Sequence, residues 1–171
     1  MNKIILGAGC YWSVEALIRQ LKGIHNINPG YYSMKNSALA IGTKDKIEVV
    51  KFEYDDSISI DTILDFFFTI HNPTINSWNE DSFFPSGRSV IFYFNDNDKN
   101  KSFDFIQTLI KNKSFDTEIY TKILPGNEDN FILSEAKYID YYNKYPTDPF
   151  STSNIEPKLI KVKEKFKDFI K

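Results

Sequence analysis

The chain reads as an α+β protein: a two-layer α/β sandwich with a ferredoxin-like, split βαβ core and a C-terminal helical extension. Three observations predict this. Strand-length apolar runs and stretches of helical period follow one another as strand, helix, strand, strand, helix, strand, which is the order of a split βαβ unit. Glycine, proline and Asp/Asn-rich clusters fall at the joins. With 171 residues and many aliphatic and aromatic side chains, the chain can bury one core and does not require two. Residues 1–146 are expected to form the main body, with residues 147–171 a tail whose short amphipathic helix packs on it.

Lys3-Ile4-Ile5-Leu6 has the length and apolarity of a buried strand, and Val14, Leu17, Ile18 and Leu21 then recur at helical spacing. Gly23 is placed as the cap that closes this helix. Ile24 to Tyr32 reads as a strand kinked at Pro29-Gly30. Ser33 to Gly42 has no deciding period, and Ser37-Ala38-Leu39-Ala40 stays open between a short helix and an ordered loop. Lys46 to Tyr54 alternates from Val50 onward, the clearest strand signal, and runs into the turn-prone Asp55-Asp56-Ser57.

Ser59 or Asp61 can cap a second helix, whose residues Ile60, Ile63, Leu64, Phe67, Phe68 and Ile70 form a wide apolar face stopped by Asn72-Pro73. Thr74 to Gly87 is polar and too long for a tight connection, which marks it as a loop with a possible role at a site. Val90 to Phe94 is a fully apolar strand. A calcium loop beginning at Asp96 is rejected, because Lys101 stands where the sharp-turn glycine belongs and Gln107 where the bidentate glutamate belongs. The Asn/Asp cluster is instead a turn and cap for a helix using Phe103, Ile106, Leu109 and Ile110. Thr117 to Leu124 is expected as a strand, Pro125-Gly126 as a turn, Ser134 to Lys144 as an aromatic-rich helix, and Lys158 onward, through Phe166 and Ile170, as a basic amphipathic helix with a solvated lysine face.

A formal charge of −2 gives no broad attraction to nucleic acid or to an anionic membrane. The single cysteine cannot form an internal disulfide, and Ile4-Ile5-Leu6 is too short for the apolar stretch of about 7–15 residues in a secretory signal. No apolar run approaches the roughly 18 residues of a membrane span. The expectation is a cytoplasmic monomer with small or peptide partners. His25 and His71 have no ligand-like spacing with each other or with Cys10, so no metal is implied.

Chemistry concentrates at Gly7-Ala8-Gly9-Cys10-Tyr11-Trp12, where a strand gives way to a helix. A thiol there meets free backbone N–H groups and the positive end of a helix dipole, which favour the nucleophilic thiolate. Tyr11 and Trp12 add aromatic surface suited to a small apolar group such as a methyl. The plain alternative is a buried, inert cysteine.

Gly9-Cys10-Tyr11-Trp12-Ser13 resembles the Gly-Cys-Phe-Trp-Gly motif of the A-type peptide methionine sulfoxide reductases. Further matches follow in order: Leu21-Lys22-Gly23-Ile24, Gly30-Tyr31, Glu48-Val49-Val50, Phe67 to Thr74, Arg88 to Tyr93 and, more loosely, Ser134-Glu135 to Pro146. The resemblance implies a reductase-like catalytic domain over residues 1–146, with Cys10 as nucleophile, Glu48 as general acid, Tyr31 hydrogen-bonding the sulfoxide oxygen, and Tyr11 and Trp12 holding the S-methyl group. Glu48 stays protonated near neutral pH only in an apolar surround, for which Tyr11, Trp12 and Ile47 are the candidates. The implied reaction is reduction of methionine S-sulfoxide, free or in peptides and proteins.

Two departures stand out. The family's Asp-x-Gly-Thr-Gln-Tyr segment is replaced by Ser82-Phe83-Phe84-Pro85-Ser86-Gly87, which removes a second tyrosine and leaves Asp81 one position out of register. The late Tyr-His-Gln segment reads Lys137-Tyr138-Ile139, so Tyr138 is the candidate to replace a lost donor. With no second cysteine, a Cys10 sulfenic acid must be reset from outside by a small thiol such as glutathione or dithiothreitol, or by a thioredoxin-like or glutaredoxin-like protein; no bound cofactor is expected. The competing functional reading is a binding or redox-sensing module that keeps the methyl-sulfoxide pocket with little turnover.

Overall fold

Successive side chains of a strand point to opposite faces, and the computed structural model, which describes residues 1–35, 45–79 and 87–171, shows that alternation dividing the core in two. Ile4, Leu6 and Ala8 of β1 (Asn2–Ala8) join Val50 and Phe52 of β3 (Lys46–Tyr54) in the larger buried cluster. Ile5, Ile47 and Val49 face the other way, into a smaller cluster with Tyr32, Met34, Val90 and Phe92. The larger cluster is roofed by α1 (Tyr11–Ile18) and α2 (Ile60–Ile70). Each large apolar side chain buried this way contributes roughly 1.5–3 kcal/mol.

With β2 (Ile24–Ser33) and β4 (Ser89–Tyr93), the first six elements follow the expected order, and β4-β1-β3-β2 lie side by side with every neighbouring pair antiparallel. The α+β fold class read from the sequence therefore holds. Two edge strands widen the sheet: β5 (Lys122–Pro125) runs parallel to β4, and β6 (Phe131–Leu133) antiparallel to β2. β2 does carry an irregularity, but it is a register shift between His25 and Asn28; Pro29-Gly30 pair with β3 in unbroken register.

The caps show why the helices begin where they do. Ser59 Oγ accepts from Thr62 N at 3.1 Å, and Asn95 Oδ1 accepts from Asp98 N at 2.8 Å to open α3 (Asp96–Lys111). Tyr54 then donates its hydroxyl to the buried Asp98 at 2.6 Å, fixing α3 against the end of β3.

Several expectations need correction. Helix α1 ends at Ile18 with Arg19 as its cap, so Gly23, at φ +77°, turns the chain into β2 and does not close the helix. On α3, Phe105, Ile106 and Leu109 pack against the core while Phe103 and Ile110 are exposed. Strand structure in the 117–125 region is confined to β5, because only those residues reach β4. The helix expected over Ser134–Lys144 is broken: a 3-10 turn over Ala136–Tyr138 and the short α4 (Tyr141–Lys144) flank Asp140, whose φ is +56°. The tail folds as a π-helical turn, Ser151–Ile155, running directly into α5 (Glu156–Lys165). Ile155, Leu159, Val162 and Phe166 enter the same buried cluster as α1 and α2. No helix among the described residues is long and apolar enough to cross a membrane.

Candidate active site

Gly9 adopts φ +102°, a conformation that glycine reaches without strain, and so turns β1 sharply into α1. This leaves Cys10 at the helix N-cap, its carbonyl accepting the first helical bond from Val14 N at 3.0 Å. The first N–H of the helix, on Tyr11, donates to Glu48 Oε1 at 3.3 Å. Glu48 reaches that point because it lies on the helix-facing side of β3 and is 8% exposed. Directly across the ladder stands Tyr31 of β2, and antiparallel partners place their side chains on the same face. The turn and the strand register thus bring Cys10, Tyr11, Glu48 and Tyr31 together. Ile47 faces the opposite side of the sheet and forms no part of Glu48's surround.

A cavity of about 570 Å³ opens at Cys10, with Trp12, Glu48, Phe150, Asn154 and Lys158 in its wall and Val14, Leu17 and Ile70 among its apolar lining. Tyr11, Tyr31 and Tyr138 are not in that wall. They form an aromatic group beside Glu48, the Tyr11 ring 5.3 Å from Tyr31 and 5.9 Å from Tyr138. The Tyr11 hydroxyl finds its partner in Tyr31, and burial with that bond raises its pKa well above the ordinary tyrosine value. Trp12, half-buried, packs on Tyr141 at 4.3 Å and Phe150 at 4.9 Å. Asp81 lies outside the described residues, as does the Ser37-Ala38-Leu39-Ala40 stretch.

Burial pushes the Cys10 thiol above its ordinary pKa, and Glu48, when ionised, adds to the rise. The Ser13 and Trp12 N–H groups and the Ser13 hydroxyl pull the other way, without forming a regular side-chain cap. The helix N-terminus therefore does what the sequence suggested, but desolvation outweighs it, and the resting cysteine is held as thiol.

Sequence reasoning missed Glu15. Its carboxylate, on a residue 1% exposed, accepts the Asp140 N–H at 3.0 Å on both oxygens and pairs with Arg19 at 2.8 Å. That anchor, spanning 125 residues of sequence, sets Tyr138 against Tyr11 and Tyr141 against Trp12. The available signal was one acid in an otherwise apolar helix with Arg19 four residues on. Phe150, Asn154 and Lys158 were also missed as site residues; their four-residue spacing, a helical stripe, was the clue. Among the described residues, no group of three or more His, Cys, Asp and Glu is placed to hold a metal ion.

The family model for peptide methionine sulfoxide reductase matches residues 2–170. The chain is 33% identical over 177 residues to the peptide methionine sulfoxide reductase MsrA of Psychrobacter sp. (strain PRwf-1), covering 99% of each. Among solved structures it resembles Mxr1 from Saccharomyces cerevisiae in an unusual oxidised form, with 28% identity, a TM-score of 0.61, and 85% of this chain and 83% of that one covered. It also shares its fold with Mxr1 solved in complex with Trx2, at 21% identity and a TM-score of 0.54, covering 81% and 83% of the two chains.

Proposed function

The chain belongs to the peptide methionine sulfoxide reductase family, an oxidoreductase that reduces methionine sulfoxide with thiol reductants, and on that premise we propose that Cys10 and Glu48 carry the chemistry. The observation that carries the proposal is their shared cavity: Cys10, Trp12 and Glu48 line one pocket, with Glu48 tied to the first N–H of the helix that Cys10 opens.

The Cys10 thiolate attacks the sulfoxide sulfur while the Glu48 carboxyl gives its proton to the oxygen. The attack joins the Cys10 sulfur to the methionine sulfur; the oxygen then passes to the Cys10 sulfur as the S–O bond and that S–S bond break, leaving Cys10 as sulfenic acid and releasing methionine. The substrate sulfur is reduced by two electrons and the Cys10 sulfur is oxidised by two. Tyr31, cross-strand from Glu48 but outside the wall of the Cys10 cavity, is assigned to the oxygen by family resemblance. Trp12 walls the methyl group, while Tyr11 packs on Tyr31 and Tyr138 packs on Tyr11. The S epimer is the substrate, by family resemblance.

Resetting consumes two external thiols. The first condenses with the sulfenic acid to give a mixed disulfide and water; the second displaces Cys10 and leaves as disulfide. A thioredoxin-like protein is our choice of physiological reductant, supported by the Mxr1 complex with Trx2, and a reducing cytoplasm is the compartment that supplies it. The chain works as a monomer, its catalytic domain spanning residues 1–146 and the 147–171 tail docked on it through Ile155, Leu159, Val162 and Phe166.

The test is reduction of dabsyl-labelled methionine S-sulfoxide with dithiothreitol by the wild type, Cys10→Ser and Glu48→Gln. We expect complete loss in the first variant and a fall of roughly 10²–10⁴-fold in the second, the range of a general acid. Undiminished turnover by Cys10→Ser would remove the nucleophile assignment.

A further inference from the structure

The tail brings no second thiol to Cys10, but it does bring a charge. Phe150, Asn154 and Lys158 all line the Cys10 cavity, and their four-residue spacing makes them one stripe of the π-to-α run that begins at Ser151. The opposite constraint fixes that stripe. Ile155, Leu159 and Val162 are buried in the main core, so α5 cannot rotate Lys158 away without exposing them. Lys158 is the basic residue of the Cys10 cavity among the described residues, sharing its wall with the thiol and one carboxylate, Glu48.

From this placement we propose that Lys158 is a positioning residue for the thiol chemistry, the cation that stabilises the Cys10 thiolate both as attacking group and as leaving group. The proposal rests on Cys10 being the nucleophile. In the first role the Cys10 proton passes to solvent and the ammonium stays charged beside the sulfur. In the second, the same ammonium favours departure of Cys10 from the mixed disulfide with the external thiol. No proton or electron passes through Lys158 itself.

The electrostatic environment agrees. Desolvation lowers the pKa of Lys158, a residue still exposed overall, and a negative Cys10 pulls it back up. Among the described residues, four other titratable groups line the walls around the pair. Glu48 of β3 stands in the Cys10 cavity and, when ionised, opposes thiolate formation. A neighbouring cavity of about 900 Å³, also lined by Lys158, presents His71 from the end of α2, Asp116 from the loop after α3, and Lys161 from the next turn of α5. His71 is held neutral above pH of about 4 by burial. Lys161 lines only that neighbouring cavity, which makes it the internal control.

The experiment is the pH dependence of Cys10 alkylation by iodoacetamide, a neutral probe, in wild type, Lys158→Met, Lys158→Arg and Lys161→Met, alongside the pH profile of sulfoxide turnover. An opposite charge close to an ionisable group typically shifts it by 1–3 units. Lys158→Met should therefore move the alkylation midpoint up by about one unit and slow alkylation at neutral pH roughly tenfold, with the turnover profile following. Lys158→Arg should restore most of both, and Lys161→Met should match wild type. Coincident alkylation profiles for wild type and folded Lys158→Met overturn the proposal, as does an equal shift in Lys161→Met. If Cys10→Ser keeps turning over, the nucleophile assignment fails instead, whatever the lysine variants do.

Discussion

The wall of the site built by the sheet and α1 and the wall built by residues 134–171 are made in opposite ways. On the sheet side, Cys10, Tyr11, Glu48 and Tyr31 are set by a glycine turn and one rung of a strand ladder, both local and rigid. On the other side, Tyr138, Tyr141, Phe150 and Lys158 sit on a 3-10 turn, a four-residue helix and a π-to-α run that have little regular structure to hold them. Their positions depend on single long-range anchors: Glu15 on the Asp140 N–H, and the apolar face of α5 on the core. The difference teaches that the proposed reacting groups belong to the scaffold, whereas the surface that encloses them is docked on it.

Acid should break the scaffold side first. His71 caps α2, donating from Nδ1 to the Phe67 carbonyl and accepting at Nε2 from Ser89 of β4, each at 2.7 Å. Burial lowers its pKa from 6.5 to about 4. The unfolded chain therefore binds the extra proton more readily, and the stabilisation is fully present above pH of about 6.5 and lost as pH falls through about 4. Its size is of order 3 kcal/mol. Urea midpoints measured between pH 7 and 4 should fall steeply in wild type, and less so in His71→Asn; parallel slopes would contradict this.

The joint between the two walls is the next most sensitive point. Glu15→Ala leaves the Asp140 N–H and Arg19 without their buried partner, a loss of about 2 kcal/mol by the usual cost of an unsatisfied buried donor. Denaturant unfolding should show that loss, and sulfoxide turnover should drop several-fold as Tyr138 and Tyr141 lose their register. Full activity in a destabilised protein would mean that the docked wall does not shape the site.

Smallest is the effect of trimming that wall. Phe150→Ala removes a ring 4.9 Å from Trp12, a contact of roughly 0.5–1.5 kcal/mol beyond its buried area. The expected result is a several-fold rise in KM for the dabsyl substrate with kcat nearly kept. A large fall in kcat with KM unchanged would move Phe150 from the binding surface into the chemistry.

The same contrast decides what could be read in advance. Period-two alternation placed β3, the Ser59/Asp61 pair and the Asn95–Asp98 cluster announced the starts of α2 and α3, and the Gly9-Cys10 turn marked the cysteine's end of α1. These are local signals. The helix read across Ser134–Lys144 failed because an acid 125 residues away takes the Asp140 N–H, which no local window contains. Phe103 and Ile110 looked like core on α3, yet the packed stripe is Phe105, Ile106 and Leu109. Lys158 is exposed, as a solvated lysine face predicts, and only the docking angle of α5 reveals that it also borders the Cys10 cavity. The thiol's net rise in pKa was hidden for a similar reason: the dipole is visible in sequence, while burial is not.

The most direct test of the whole account is a single turnover without reductant, followed by mass spectrometry of the Cys10 peptide. The account predicts one added oxygen on Cys10 for each methionine formed, removed by dithiothreitol. Methionine appearing in stoichiometric yield while Cys10 remains an unmodified thiol would contradict it.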